Sequence, residues 1–375
     1  MKYVAPRWLP GGHLQTIWPA LAARRGDAGP PAYRRERWTA PDGDFVDVDF
    51  LDGGPPAPRP LLVLFHGLEG SSRSHYAEAF ADVARARGWD CAVPHFRGCS
   101  GEINLAPRAY HSGDHEEIDW ILARMAARQR PGGAGDGPRA PVMVAGVSLG
   151  GNALLRWAAE HGAQAARSAD AVAAICSPLD LAAGGRAIGR GFNRQVYTRM
   201  FLRTMVPKAL AKWQQHPGLF DRENLRAARD LHAFDDVFTA PLHGFRDADD
   251  YWRRASAQPL LADIRIPALA VNARNDPFVP AASLPRAEEV GAQVTLWQPP
   301  HGGHVGFAHG RLPGRVQAMP EAVAGWLAEQ AGLAGLAGLA GLAGLAGLAG
   351  LARGETSGTP AYAGGARAGL GSPHG

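Results

Sequence analysis

The run Gly146-Val147-Ser148-Leu149-Gly150 sets a serine hydroxyl between two glycines. It follows the apolar run 141–147 directly and leads into the helix-like run 152–161. In that setting the pattern reads as a sharp strand-to-helix turn that lifts the hydroxyl clear of a sheet. Side chains at the flanking positions would clash inside such a turn, which accounts for Gly146 and Gly150. The hydroxyl would lie at a helix N-terminus, where peptide dipoles favour developing negative charge. This is the chemistry of a nucleophile aimed at an electrophilic carbonyl. Taken alone, G-x-S-x-G arises by chance; the strand before it and the helix after it give it meaning.

A serine hydroxyl is a weak nucleophile at neutral pH and needs a base. The base should be a histidine on a late loop, oriented by an acid that lies between the two in sequence. His301, His304 and His309 all follow the strand-like run 294–297. His304 comes after Gly302-Gly303, which allows close approach, so it is preferred; His301 is the main rival and His309 a weaker one. For the acid, Asp276 follows the strand-like run 268–272, at the end where open α/β sheets place their sites, and Pro277 fixes the turn. Asp263 lies upstream of that strand and Asp180 at the edge of a different segment; both are poorer choices. An oxyanion would need two N–H donors. Leu149, the residue after the nucleophile, should supply one. The loop His66-Gly67-Leu68-Glu69-Gly70 should supply the other, from the Leu68 amide. His66 itself is expected to be structural.

These residues need a scaffold. Segments 33–39 and 45–50 around Pro41-Asp42-Gly43 predict a hairpin. Strand-like runs at 61–65, 90–94, 141–147 and 171–176 alternate with helical runs at 75–87, 114–128 and 152–161. Asp114 and Glu117 suggest a capping box for the second of these helices. This alternation implies a mostly parallel sheet covered by helices on both faces. It breaks at 180–260, a block rich in Arg, Phe and Trp with no evident strand, and resumes with strands at 268–272 and 294–297 and a helix at 321–330. The expected organisation is an irregular lead-in (1–32), a first core part (33–178), a helical cap insertion (179–262), a second core part (263–330) and a low-complexity tail (331–375). Within the tail, residues 331–351 repeat Ala-Gly-Leu. Glycine at every third position disfavours a membrane helix there, and a flexible tail is expected. Phe192, Phe201, Trp213 and Trp252 in the cap could line an apolar acyl pocket.

Composition narrows the function classes. Of 375 residues, 46% are hydrophobic and 20% charged, which suits a globular enzyme. The net charge of +4 comes from arginines that are scattered along the chain rather than gathered in a stripe, so no nucleic-acid partner is expected. Cys91, Cys99 and Cys176 have neither disulfide-framework nor metal-ligand spacing. The first residues lack a signal-peptide core. Free thiols and a cytoplasmic location follow as expectations, with membrane contact disfavoured. The Gly-rich run 132–137 has no adjoining strand, so it is no phosphate loop. His111, Asp114 and His115 read as the start of a surface helix rather than a metal site. No cofactor or metal is expected.

With these residues in view, the chain resembles the YheT-like branch of the α/β hydrolases, a group related to the mammalian membrane-anchored abhydrolase lipases. The resemblance covers about residues 5–330. Its marks are Gly12-His13-Leu14-Gln15-Thr16, His66-Gly67-Leu68-Glu69-Gly70-Ser71-Ser72, Phe96-Arg97-Gly98-Cys99-Ser100-Gly101, Tyr110-His111-Ser112-Gly113, Gly146-Val147-Ser148-Leu149-Gly150-Gly151-Asn152, Asn275-Asp276-Pro277-Phe278 and Gly302-Gly303-His304-Val305-Gly306-Phe307. It implies an α/β-hydrolase fold and a charge-relay set of Ser148, Asp276 and His304, and so favours His304 over His301. It also implies short-chain carboxylesterase or acylglycerol lipase activity. The Ala-Gly-Leu tail and the want of an N-terminal membrane anchor depart from the family pattern. Two further readings stand beside a small-ester esterase: a hydrolase of phospholipids or other lipids at a surface, and a non-catalytic binding protein that keeps the fold.

Overall fold

Short apolar runs without alternation make the centre of the sheet: β3 (Leu61–Phe65), β5 (Val142–Val147), β6 (Ala171–Ile175) and β7 (Ala268–Val271) are buried along their whole length. Such runs suit parallel strands covered on both faces. The computed structural model describes residues 2–26, 29–54, 59–130 and 139–333. The sequence readings for 55–58, 131–138 and the repeat tail from 334 onward lie outside the described residues. By their contacts, Met1–Ala331 form one compact unit and Gly332–Gly375 a second.

With β1 (Arg34–Thr39), β2 (Phe45–Leu51), β4 (Asp90–Pro94) and β8 (Val294–Trp297), the strands form an eight-stranded sheet in the order β1-β2-β4-β3-β5-β6-β7-β8. The hairpin β1–β2 and the pair β2–β4 are antiparallel. The remaining neighbours are parallel, with Phe65 opposite Gly146 and Val147 opposite Ile175. The strand ends that carry Ser148 and its neighbours are thereby level along one edge. Helices α2 (His75–Ala86), α3 (His115–Arg128), α4 (Leu149–His161) and, late in the chain, Ala318–Gln330 cover the sheet. Trp157, Phe65, Ile118, Ile121 and Leu122 are fully buried between α3, α4 and the sheet. Each such side chain contributes about 1.5–3 kcal/mol on burial.

Between β6 and β7 the chain is helical, as the missing strand signals predict. It includes α5 (Leu181–Ile188), α6 (Arg199–Gln215) and α7 (Ala248–Ala255), separated by shorter turns. Asp180, Asp221, Asp230 and Asp247 cap successive pieces through backbone N–H groups. The insertion has its own apolar cluster, with Phe220, Leu225, Phe234 and Phe238 buried.

Three local expectations fail. The lead-in is not irregular: Gly12–Leu21 is a helix, α1, held by Gln15 and Thr16, both buried. Asp114 and Glu117 form no capping box. Ion pairs compete for them: Arg108 takes Asp114 at 2.6 Å, and Arg97 takes Glu117. Asp114 does start α3, as its N-cap residue, but that start is buried rather than at the surface. His111 is packed against His243, Phe245 and Tyr251, and burial pushes its pKa down to about 3.

Candidate active site

The turn between β5 and α4 holds Ser148 at φ 53°, ψ −118°, a left-handed conformation that only tight surroundings sustain in a non-glycine residue. Those surroundings are backbone. A Cβ on Gly146 would come within 2.6 Å of the Gly150 carbonyl oxygen, and one on Gly150 within 2.5 Å of the His66 carbonyl oxygen. The Ser148 amide donates to the Ile175 carbonyl at 2.8 Å, which ties the turn to β6. Asn152 fixes the helix behind it. Its side chain donates to the Ser112 and Ala255 carbonyls and accepts from the Ala257 amide, each within 2.9 Å, so a fully buried amide is satisfied on both ends.

Three side chains meet across the strand ends. Ser148 Oγ lies 3.1 Å from His304 Nε2, and His304 Nδ1 lies 2.8 Å from Asp276 Oδ2. A carboxylate accepts only, so Nδ1 carries the proton and Nε2 presents its lone pair to the serine hydroxyl. Asp276 Oδ1 accepts the Phe278 and Val279 amides at 2.7 and 3.4 Å. Phe278 covers the imidazole, with ring centroids 4.2 Å apart. The other candidates lie apart from this chain of hydrogen bonds. His301 is exposed beside Asn275, and His309 is bridged to Arg315 through its backbone. Asp180 caps α5, and Asp263 is exposed.

The loop after β3 runs beside the serine: a Cβ on Gly67 would sit 3.2 Å from the Ser148 Cβ. Tyr76 pins this loop by accepting the Gly67 amide at 2.9 Å. Glu69, at φ 57°, donates its amide to the Tyr110 hydroxyl at 3.0 Å, and its carboxylate accepts from the Tyr110 hydroxyl and pairs with Lys208 of α6, each at 2.9 Å. Among the described residues no acceptor takes the Leu68 amide. The Leu149 amide belongs to the first turn of α4, where N–H groups have no intrahelical partner. His66 is structural, as expected. Fully buried, it accepts the Phe96 amide and donates to the Gly67 carbonyl, and burial pushes its pKa down to about 3.

The histidine loop is held by residues whose role the sequence reading missed. Gln15 Oε1 accepts from Asn275 and from the Gly302 amide, both at 2.9 Å. Thr16 Oγ1 accepts the His304 amide at 2.9 Å and donates to the Gly12 carbonyl. A Cβ on Gly306 would fall 1.7 Å from the Gln15 carbonyl oxygen, so α1 meets the loop backbone to backbone. The run Gly12-His13-Leu14-Gln15-Thr16 was visible in sequence, but nothing local says that it supports a loop nearly three hundred residues later. Cys176 was also missed. Its thiol lies beneath the site and accepts the Val305 amide at 3.3 Å. Burial, then the Asp276 charge, holds its pKa well above the ordinary thiol value.

Cys176, Asp276 and His304 are close enough to share a cation, and among the described residues they are the only such group. The donor set fits one poorly: both imidazole nitrogens are already engaged, and the thiol stays protonated.

Two spaces open from Ser148 and His304. One, of about 110 Å³, lies under the insertion and is walled by Leu181, Ile188, Phe201, Met205, Trp252 and Phe278. The other is a wider groove of about 580 Å³ between α1, the β3 loop and α6. Phe201 and Trp252 thus line an apolar space as expected. Phe192 and Trp213 do not: Phe192 is half-exposed against His13, and Trp213 packs into the insertion's own cluster.

The model of a family described as alpha/beta hydrolase fold matches residues 60–310. An Escherichia coli (strain K12) protein named "Putative esterase YheT" is 38% identical over 329 residues, which is 87% of this chain and 93% of that protein. A Mus musculus protein named "Phospholipase ABHD3" is 28% identical over 301 residues, covering 77% of this chain and 70% of its own. A Saccharomyces cerevisiae protein named "Monoacylglycerol lipase" is 25% identical over 296 residues, covering 76% and 62%. Among the described residues no helix is long and apolar enough to cross a membrane.

Proposed function

The chain belongs to the α/β-hydrolase fold family, and from that premise we propose that it is a serine esterase that cleaves carboxylic esters through an acyl-enzyme on Ser148. The observation that carries this is the unbroken hydrogen-bonded line Ser148–His304–Asp276 at 3.1 and 2.8 Å. Ser148 Oγ attacks the ester carbonyl while His304 Nε2 takes its proton. Asp276 keeps the Nδ1–H tautomer and stabilises the imidazolium that forms. The Leu68 and Leu149 amides hold the oxyanion. His304 then gives its proton to the leaving alkoxide. Water, activated by the same imidazole, releases the acid and restores the serine. Apart from that water, every step uses groups the chain supplies.

The small apolar space under the insertion suits the acyl group, and the wider groove suits the leaving alcohol. The names of the relatives, an esterase, a phospholipase and a monoacylglycerol lipase, agree on acyl esters and differ in the alcohol. A narrow acyl space favours short chains. A second reading, hydrolysis at a lipid surface, is favoured by the apolar Leu21 and Met200 that stand exposed along the groove.

The test is hydrolysis of p-nitrophenyl esters from acetyl to dodecanoyl by the wild-type protein and by Ser148→Ala. The expected outcome is a rate that falls by at least about a thousandfold in the variant, with short chains preferred. Near-full activity in Ser148→Ala would sink the assignment.

A further inference from the structure

Two stretches of the chain carry cations and no acid: residues 2–26 hold four Lys or Arg, and residues 181–220 hold seven. They are far apart in sequence but meet at the mouth of the groove over Ser148. His13 of α1 packs against Phe192 and Tyr197, with centroids 4.5 and 5.9 Å apart, and Ile17, Val196 and Phe201 pack on one shared apolar cluster around Tyr197 and Phe278. Along α6, Met200 and Thr204 line the groove. Arg199 and Arg203, one position back on the helix, form an exposed row beside them. Arg25 and Arg73 line the groove from the opposite side.

The acids that reach this rim are engaged. Glu78 is 3.0 Å from Arg25, Glu69 is 2.9 Å from Lys208, and Asp230 is 3.9 Å from Arg194. Among the described residues no ion pair takes Arg73, Arg199 or Arg203. The same rim is apolar. Leu21 and Met200 line the groove and stand exposed, and Phe192, also exposed, packs on His13 of α1.

We propose that this rim docks the protein on an anionic phospholipid bilayer, with the groove facing the membrane. Cations held near an anionic leaflet each strengthen binding by roughly fivefold, and exposed apolar side chains among them enter the headgroup boundary. A nucleic acid would satisfy the arginines but leave Leu21, Phe192 and Met200 without a role. Orientation follows from position: a face that rings the groove brings the acyl ester to Ser148 without a passage through water. That delivery rests on the esterase reading above; the binding does not.

The experiment is sedimentation of the full chain with vesicles of pure phosphatidylcholine and with vesicles rich in phosphatidylglycerol. Wild-type protein is expected to partition onto the anionic vesicles at low salt and to leave them as salt rises. The double variant Arg199→Glu with Arg203→Glu should lower that partition by at least about tenfold and leave hydrolysis of a short soluble ester unchanged. Phe192→Asp should weaken it as well, and more so at high salt. Failure of the wild-type protein to bind anionic vesicles, equal binding by the double variant, or equally tight binding to duplex DNA would overturn the proposal. Ser148→Ala should bind as wild type does. Vesicle binding by a protein inert on every ester would therefore count against the esterase reading and leave the docking face standing.

Discussion

Replacing Asp276 with asparagine keeps shape and volume and reverses one proton, and the structure dictates where that proton must go. Oδ1 of Asp276 accepts the Phe278 amide at 2.7 Å, and Oδ2 accepts His304 Nδ1 at 2.8 Å. An asparagine NH2 cannot face the Phe278 amide, because two donors would oppose each other at a site only 5% exposed. The carbonyl must stay there, so the NH2 points at His304. Nδ1 then has to accept, the ring proton moves to Nε2, and Ser148 meets a donor where it needs a base. General-base catalysis is worth about 10²–10⁴ in rate, and the imidazolium also loses its carboxylate. The expected fall in kcat is about 10⁴, or some 5.5 kcal/mol of transition-state stabilisation. KM should stay within a few-fold of wild type, since Asp276 does not line the acyl space. The assay is steady-state hydrolysis of the preferred p-nitrophenyl ester beside a thermal melt, with His301→Asn as the control that should keep full activity. A variant that stays folded and retains a tenth of the wild-type kcat would refute the tautomer argument.

Three further outcomes are expected. Phe201→Ala widens the junction of the acyl space and the groove, so the preferred acyl length should move upward in kcat/KM; an unchanged length profile would place the acyl chain elsewhere. Arg97 is buried among Asp42, Asp44 and Glu117, and Arg97→Met leaves those carboxylates without their cation, at a cost of about 3–5 kcal/mol in urea unfolding; a loss below about 1 kcal/mol would mean that the acids find other partners. Asp235 accepts Thr239 and Trp252, and burial pushes its pKa up to about 6 from 3.8. The folded state therefore holds this proton more tightly than the unfolded chain, so stability is full below about pH 4 and falls as pH rises towards 6. Asp235→Asn should remove that fall and raise stability at pH 7.5 by about 1–2 kcal/mol, allowing for the weaker hydrogen bonds of the amide; a variant less stable than wild type at pH 7.5 would show that the charged bonds outweigh the burial.

Much of the scaffold can be read along the chain because its signals are local. The runs at 61–65, 141–147 and 268–272 are short, apolar and bounded by turn residues, and each holds a buried parallel strand. The missing strand signals in 180–260 likewise foretell a helical insertion. Local signals misled where tertiary partners compete. Asp114 and Glu117 have cap spacing, yet Arg108 and Arg97, brought in by other segments, take both carboxylates. The segment 1–32 is rich in Pro and Gly and reads as irregular, yet its middle is a helix because it has the backbone of the histidine loop to pack on.

The sequence by itself determined the fold class and the candidate nucleophile, acid and base, since glycine spacing around a turn and the chain order of Ser148, Asp276 and His304 are one-dimensional facts. Tertiary structure decided the rest. It alone brings Gln15 and Thr16 to the loop that carries His304, sends Phe192 and Trp213 away from the apolar space beside Ser148, sets Cys176 beneath Asp276, and gathers arginines that look scattered along the chain onto one rim. The physical reason is separation. A turn or a strand is chosen by neighbours a few residues away, whereas a hydrogen bond across nearly three hundred residues, or a charge summed over two distant segments, exists only once the chain has closed on itself.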